Sequence, residues 1–552
     1  MKNSLFALIV CLSTGAAMPA LAQDASRSDE LSRNAAMRFD QARRSNVQGN
    51  ASTAAPVDSL VDMTLDEATT RALERNLDLA VERLNPQAFD FSIASIEAAY
   101  RPTITSQLGL RNSTTFSRSQ TAGADVLETE NMSGNAGLSQ NLKWSGANFS
   151  VTFNNTRIKQ TDSFALRNPT LNTSFNAVLV QPLMRGFRVD GTRTQLVVTK
   201  LNQDMSELAL RGTVVATLSD VRNAYWDLVY AVQTVEVARR SLELASKLVE
   251  DNRVRVEVGT LAPIDVVQSQ AEEALRRQTL VQAEGTSRTA ELALKRLLVS
   301  GTDDPLWSAT INPVDRPSFA AEPLDVEGAV GRALENRTDL QQSRKRLESN
   351  DLTLINLSNQ RLPALDLTAS YGASGIGGPQ FVRSGLGGTV TQTVPSGWGD
   401  ALSTLGHLTA PQWNLALNLS YPLGASSAEA NHARALVQKR QTVAQEKQLE
   451  LQIATEVTNA AIQADSNLTQ YQAALASRNL AQQRLDAEQS KFEVGISTNF
   501  FVVQAQRDLA DAQNAELRAV LEYRKALVDF QRVQEAPAGG RAAGGITTVT
   551  GG

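Results

Sequence analysis

From Val214 onward apolar residues recur at every seventh position, through Val221, Leu228, Val235, Leu242, Val249 and Val256, while Leu218, Tyr225 and Val232 fill the places between. This 4-3 spacing is the seam of a coiled coil. Closer to Gly259 the second set becomes Arg239, Ser246 and Arg253, so the seam grows polar toward its end. Val457, Ala461, Ala464, Leu468, Tyr471 and Leu475 repeat the spacing later in the chain, with small alanines that let helices approach closely. The pattern predicts long helices over 192–257 and 427–493, Gly-containing turns over 258–263 and 494–499, and medium helices over 264–299 and 500–534. Two more medium helices are predicted over 65–99 and 325–361. One such stripe would also suit the core of an ordinary bundle. Length separates the two cases: at about 1.5 Å per residue each long helix reaches roughly 100 Å, matching two medium helices placed end to end. A globular bundle needs no such length, whereas a tube wall or a spacer does.

Between the helices, over 103–183 and 364–423, the period falls to 2. Trp413, Leu415, Leu417, Leu419 and Tyr421 alternate with Asn414, Ala416, Asn418 and Ser420, and Leu365, Leu367, Ala369 and Tyr371 alternate with Asp366, Thr368 and Ser370. Trp413 and Tyr421 stand at the two ends of one apolar face, about 26 Å apart at roughly 3.3 Å per residue. An outer-membrane barrel has an apolar band about 25 Å tall between aromatic girdles. A soluble sandwich alternates in the same way, but two strands per half give it no core beside such long helices. In the first half Ile104 to Leu110 and Phe175 to Leu179 form the matching pair. An additional alternating piece, Phe149, Val151 and Phe153, pairs as a hairpin with Leu138 to Trp144, and the pattern leaves open whether that hairpin enters the sheet. The connection Gly372 to Gly406 reads as a Gly-rich outer loop.

The order helix, strands, long helix, turn, helix occurs twice because the chain is duplicated. Arg71-Ala72-Leu73-Glu74 returns 261 positions later as Arg332-Ala333-Leu334-Glu335, and Pro102 returns as Pro363. Glu257-Val258-Gly259 returns as Glu493-Val494-Gly495. Each half is then one structural unit, and the function belongs to their assembly.

Composition adds an export signal and removes several alternatives. Lys2, the apolar run Leu5 to Leu12, and Ala20-Leu21-Ala22 before Gln23 read as a secretory signal over residues 1–22. The one cysteine, Cys11, falls within it, so no disulfide framework is expected. Setting Lys2 aside leaves 52 basic against 58 acidic residues, a mild acidity that argues against nucleic acid. Beyond the signal no apolar run is long enough for a membrane helix, so a membrane crossing would be a β-barrel. Catalysis lacks parts: His407 and His432 stand apart from metal-ligand spacing, and Gly372-Ala373-Ser374-Gly375-Ile376 misses a nucleophile elbow by its last residue. Neither an enzyme nor a cofactor is expected.

These residues resemble the TolC-type outer-membrane factors, the outer membrane efflux protein family. The likeness covers nearly all of 62–534 and is most specific at the turns. There Val258-Gly259-Thr260-Leu261-Ala262-Pro263 leads into Ile264-Asp265-Val266-Val267, and Val494-Gly495-Ile496-Ser497-Thr498-Asn499 leads into Phe500-Phe501-Val502-Val503. Pro182 and Pro422, each ending a strand before a long helix, fit as well. The resemblance implies a mostly α fold with a β-barrel. As a homotrimer, the duplicated helix-strand-strand-helix repeats would form an outer-membrane β-barrel of four strands per chain, twelve in all, continuous with a periplasmic coiled-coil tunnel. It implies a passive exit duct of a tripartite efflux pump or type I secretion system, with outer-membrane lipid around Trp413 and Tyr421, an inner-membrane transporter, and a periplasmic adaptor docked at the two tips. A coiled-coil stalk or adhesin is the rival; it explains the heptads but not the strands or the duplicated tips. The layout expected is a disordered segment over 23–61, repeats over 62–299 and 325–534, an equatorial linker over 300–324, and a disordered Gly-rich tail over 535–552.

At the periplasmic mouth the chain departs from the better-known members, which carry an arginine and two aspartates whose salt bridges close it. The matching positions here are Ser497, Phe501 and Gln504, and only Asp265 in the first tip keeps a carboxylate. Phe501, together with Phe500, either narrows the mouth as an apolar constriction or packs the tip against neighbouring helices.

Overall fold

The two stretches of seven-residue period fold as unbroken helices of 67 residues each, Gly191–Glu257 and Ser427–Glu493. The computed structural model describes residues 60–117, 125–162, 164–316, 323–385, 388–424 and 426–537. Most of the expected N-terminal segment and tail lies outside the described residues. In chain order the helices are α1 (Leu65–Arg75), α2 (Leu77–Glu82), α3 (Leu84–Ala98), α4 (Gly191–Glu257), α5 (Pro263–Leu298), α6 (Pro305–Ser308), α7 (Val326–Asn336), α8 (Thr338–Gln360), α9 (Trp398–Gly406), α10 (Ser427–Glu493) and α11 (Asn499–Arg532). The strands are β1 (Leu60–Met63), β2 (Thr103–Phe116), β3 (Val126–Asn141), β4 (Asn148–Gln160), β5 (Thr170–Pro182), β6 (Thr310–Pro313), β7 (Ala364–Gly377), β8 (Gln380–Arg383), β9 (Val390–Val394) and β10 (Pro411–Ser420). The described residues fall into two units: Phe91–Lys200 with Ser349–Gln438 holds the main sheet, and the described residues from Leu60 to Asp90, Leu201–Glu348 and those from Lys439 hold the helical hairpins.

In the helical unit the seam residues are the core. Val221, Tyr225 and Leu228 of α4 are buried with Leu294 and Leu298 of α5, and Val457 and Ala461 of α10 are buried with Phe530 of α11. Burial of each large apolar side chain contributes about 1.5–3 kcal/mol. The medium helices expected over 65–99 and 325–361 are not continuous. Both break at equivalent places in the repeat, Asn76 and Arg337, whose backbones are extended at ψ 126. Asn76 accepts from the Leu79 N–H at 3.1 Å and donates to the Leu297 carbonyl at 3.0 Å, so a side chain replaces the helical bonds the break gives up. A further break at Arg83 separates α2 from α3.

The described part of the expected linker is itself folded. β6 pairs in parallel with β1, which begins at Leu60, inside the segment expected to be disordered to residue 61. Asp304, capping α6, takes Arg71 at 2.6 Å and Arg75 at 3.2 Å, and the Tyr225 hydroxyl lies 3.0 Å from the Met63 carbonyl and 2.9 Å from the Asp315 carboxylate.

The sheet has six strands in the order β10-β7-β5-β4-β3-β2, every neighbouring pair antiparallel. The resemblance implied four per chain. The difference is the β3–β4 hairpin, which inserts between β2 and β5; its alternation is long enough to fill thirteen ladder positions on β3 and eleven on β5. Paired residues share a face, so Trp413, Leu415, Leu417 and Leu419 lie beside Tyr371, Ala369, Leu367 and Leu365. That part of the face is bare, with Trp413 77% and Leu417 61% exposed. No helix among the described residues is long and apolar enough to cross a membrane. Residues 372–406, expected as a loop, instead extend β7, add the β8–β9 hairpin, and form α9. α9 packs on the outer end of β7 because Gly375 and Gly377 leave room: a Cβ there would lie 2.0 Å from the Ala401 carbonyl oxygen and 2.3 Å from that of Gly397.

Candidate functional site

Each long helix ends in the same turn. At the first tip the Thr260 N–H donates to the Arg255 carbonyl at 2.9 Å and the Gly259 N–H to Val256 at 3.0 Å; at the second, Ile496 donates to Lys491 at 2.9 Å and Gly495 to Phe492 at 3.2 Å. This is the Schellman ending, which needs a left-handed residue after the helix. Gly259 and Gly495 supply it at φ 83 and 79, and nothing lies within 4 Å of where their Cβ atoms would be. Pro263 then starts α5, where its missing N–H costs nothing, and Asn499 starts α11.

Around the turns the side chains divide sharply. Val258, Ile264, Val494 and Ile496 are 60–80% exposed, and Ala262, Pro263 and Thr498 are exposed with them. Leu261 is half-buried. Behind them Val502 and Val503 are buried with Leu248 and Phe492, and the Arg255 guanidinium sits 4.3 Å over the Phe492 ring. Asn499 is buried and stitches the two hairpins, accepting from Asn252 at 2.9 Å and donating to the Asp265 carbonyl at 3.4 Å.

The residues expected at the mouth come out differently from one another. Ser497 donates to Glu488 at 2.7 Å and Gln504 donates to Asp508 at 2.7 Å, so both are occupied near their own helices. The Lys491 ammonium and the Ser497 hydroxyl hold the Glu488 carboxyl below its ordinary range. Asp265 is half-buried. Phe500 and Phe501 meet edge to face at 5.6 Å and are 62% and 50% exposed, so the core behind the tip is built from the valines that follow them.

A charged cluster missed at the sequence level ties α5 to α11. Glu272, 2% exposed, takes Arg276 at 2.7 Å and Arg507 through Nε at 2.9 Å and through Nη2. Burial alone would raise its pKa; the Arg507 and Arg276 guanidinium groups outweigh that and hold the carboxyl below its ordinary range. The i,i+4 spacing of Glu272 and Arg276 was visible, but the partnership with Arg507, 235 residues away, was not.

Comparison with known proteins agrees with this arrangement. The family described as outer membrane efflux protein matches residues 68–299 and 329–533. No curated protein sequence matches the chain significantly. Among solved structures, the Campylobacter jejuni CmeC outer membrane channel is 15% identical with a TM-score of 0.60, covering 85% of each chain. The outer membrane protein VceC of Vibrio cholerae is 15% identical, with a TM-score of 0.58 over 86% of this chain and 96% of its own. The open state of the Neisseria gonorrhoeae MtrE outer membrane channel is 16% identical, with a TM-score of 0.56 over 86% and 89%. At such identities the structures establish the fold, and the match over both repeats establishes more: the chain belongs to the outer membrane efflux protein family, as an efflux channel of the outer membrane with its helical tunnel in the periplasm.

Proposed function

We propose that three copies of this chain form a passive exit duct that receives cargo from an inner-membrane transporter through a periplasmic adaptor docked on the tips. The observation that carries the reading is the pair of matching turns, each with apolar side chains left bare: Val258 and Ile264 on one, Val494 and Ile496 on the other. Exposed apolar residues on a rigid, repeated turn suit a partner that packs on both. Closure by further copies is supported by the sheet, whose two outer strands leave unpaired backbone groups that hydrocarbon cannot satisfy, and the number three is what likeness to the family implies. A stable monomer in detergent by mass measurement would refute it.

Replacing Gly259 and Gly495 by bulky residues should abolish export, but the change also strains a left-handed position by about 1–2 kcal/mol. Ile496→Asp leaves the turn backbone alone and is the cleaner test. Burying one isoleucine is worth about 1.5–3 kcal/mol, so adaptor affinity should fall at least about tenfold, with trimer and barrel intact. Undiminished adaptor binding would count against docking here.

Phe501 is assigned to the periplasmic constriction, with Asp265 adding a weaker negative ring. Its exposure on the single chain supports this to the extent that the ring does not pack into its own tip as Val502 does; conductance separates the mouth from packing against a neighbouring helix. Phe501→Ala should raise the resting conductance of single channels in a planar bilayer, and Asp265→Asn should weaken block by cations. A conductance no larger than wild type would return Phe501 to a packing role.

A further inference from the structure

A sheet that crosses a membrane as part of a barrel is tilted, so its apolar band must slide along the hydrogen-bond ladders from strand to strand. The slide can be measured here. Leu417 lies midway between Trp413 and Tyr421 on β10, and its partner on β7 is Leu367. Leu108 lies near the middle of the apolar part of β2, and its ladder runs through Gly134, Asn155 and Thr173 to Gly375 on β7. Between those edge strands the middle of the band has moved from Leu367 to Gly375, eight residues in five strand steps. At about 3.3 Å per residue and about 4.8 Å between strands this is a tilt of about 45°, close to that of membrane barrels.

The inserted hairpin falls on the same line. Val151, mid-band on β4, registers through Ala177 with Tyr371, and Ala136 on β3 registers through Phe153 and Phe175 with Ala373. Both lie between Leu367 and Gly375, in strand order. A hairpin folded away from the wall would be under no constraint to interpolate. β3 and β4 are therefore wall strands at the depth of their neighbours, and α9, which packs over Gly375 and Gly377 on this same face, brings Trp398 and Leu402 beside Leu108, Ala136 and Phe153.

We infer that each chain contributes six strands and that three copies close an eighteen-stranded barrel, in place of the twelve-stranded one implied by likeness to the family. This rests on the trimeric reading above. β2 and β10 are the edges, and over six alternating strands they run antiparallel, so β10 of one copy continues the sheet on β2 of the next without a parallel seam. At this tilt and spacing the backbone radius is about 20 Å, against about 13 Å for twelve strands. Mid-wall positions on the polar face are small and uncharged, among them Ser370, Asn176, Thr152 and Asn135.

Cysteine pairs test the wall. The only cysteine of the chain, Cys11, lies in the expected signal, so introduced pairs report alone. Full-length protein is purified from outer membranes, and disulfides are mapped by mass spectrometry in variants that still migrate as heat-modifiable trimers. Ile104→Cys with Leu138→Cys, and Val151→Cys with Ala177→Cys, should link within a chain, and Leu108→Cys with Phe175→Cys should not. Continuing the slide across the seam sets Leu417 of one copy opposite Leu110 of the next, so that pair should give cross-linked dimers and trimers on a non-reducing gel. A Leu108 to Phe175 link with none at Val151 to Ala177, in a protein that still cross-links between copies, would overturn the eighteen-stranded wall and leave the trimer standing. A monomeric mass in detergent without inter-chain links would overturn both.

Discussion

Arg337→Met should cost the folded chain about 3 kcal/mol, the largest stability loss expected from one side chain here. The guanidinium is fully buried, with Nη1 2.6 Å from Glu456 and Nη2 2.7 Å from Asp339. Burial alone would lower its pKa; the two carboxylates outweigh that and raise it. Methionine fills the space but leaves both carboxylates without their cation, each about one fifth exposed. Breaking a buried pair costs about 3–5 kcal/mol, and that partial exposure places this one at the lower end. The loss also frees the break between α7 and α8, because Arg337 holds Asp339 at the first turn of α8 and reaches Glu456 of α10 at the same time. The measurement is urea unfolding followed by the helical circular dichroism signal. Arg337→Lys should recover only part of the stability, since an ammonium cannot reproduce the planar fork. An unchanged midpoint for the methionine variant would show that the site contributes nothing net.

Arg337 and Asn76 also show where the sequence stops being legible. The 261-residue offset places them at the same point of the repeat; arginine does not announce a helix break, and although asparagine is a favoured N-cap, the surrounding periodicity runs through both. The break depends on distant partners, the Leu297 carbonyl for Asn76 and Glu456 for Arg337, which no local pattern contains. The long helices were legible because a seven-residue period sustained over 67 residues has no competing explanation. The tips were legible for a similar reason: a glycine that must be left-handed, twice, at the ends of such helices. β1 and β6 were missed because four-residue strands carry almost no periodic signal, and here one completes the other across 250 residues. The β3–β4 hairpin was seen, but its place in the sheet was not. Alternation says which residues share a face; only the register says which strand lies beside which. At the mouth, the exchange of charged for neutral residues at Ser497, Phe501 and Gln504 was plain in the sequence, whereas the ion pair between Glu272 and Arg507 required the packing of α5 on α11.

That ion pair leads to the second large effect, on gating. Glu272 joins Arg276 on its own helix to Arg507 on the facing hairpin, three turns or so above the tips, and its carboxyl is almost fully buried. Glu272→Gln should loosen the two hairpins and raise the open probability of single channels severalfold at neutral pH, with the trimer intact. Removing the carboxylate leaves the guanidinium groups uncompensated, and because the Arg507 side chain is 44% exposed the penalty falls below that at Arg337, while still exceeding a hydrogen bond alone at about 1 kcal/mol. The same contact dictates a pH dependence. Because the folded-state pKa of Glu272 is lowered, its contribution is fully present above the unfolded value of about 4.3 and is lost as pH falls through the lower folded value. Wild-type channels should therefore keep a constant open probability from neutral pH down to the ordinary carboxylate range and open only below it. The Glu272→Gln channel should lack that acid transition, being already loosened. Arg507→Gln should behave in the same way, whereas Arg277→Gln, on an exposed residue paired with Glu273 of its own helix, should not. Equal open probabilities for wild type and Glu272→Gln across the whole pH range would show that the hairpins are held together without this ion pair, by the apolar contacts of Leu248, Phe492, Val502 and Val503 and the hydrogen bonds of Asn499.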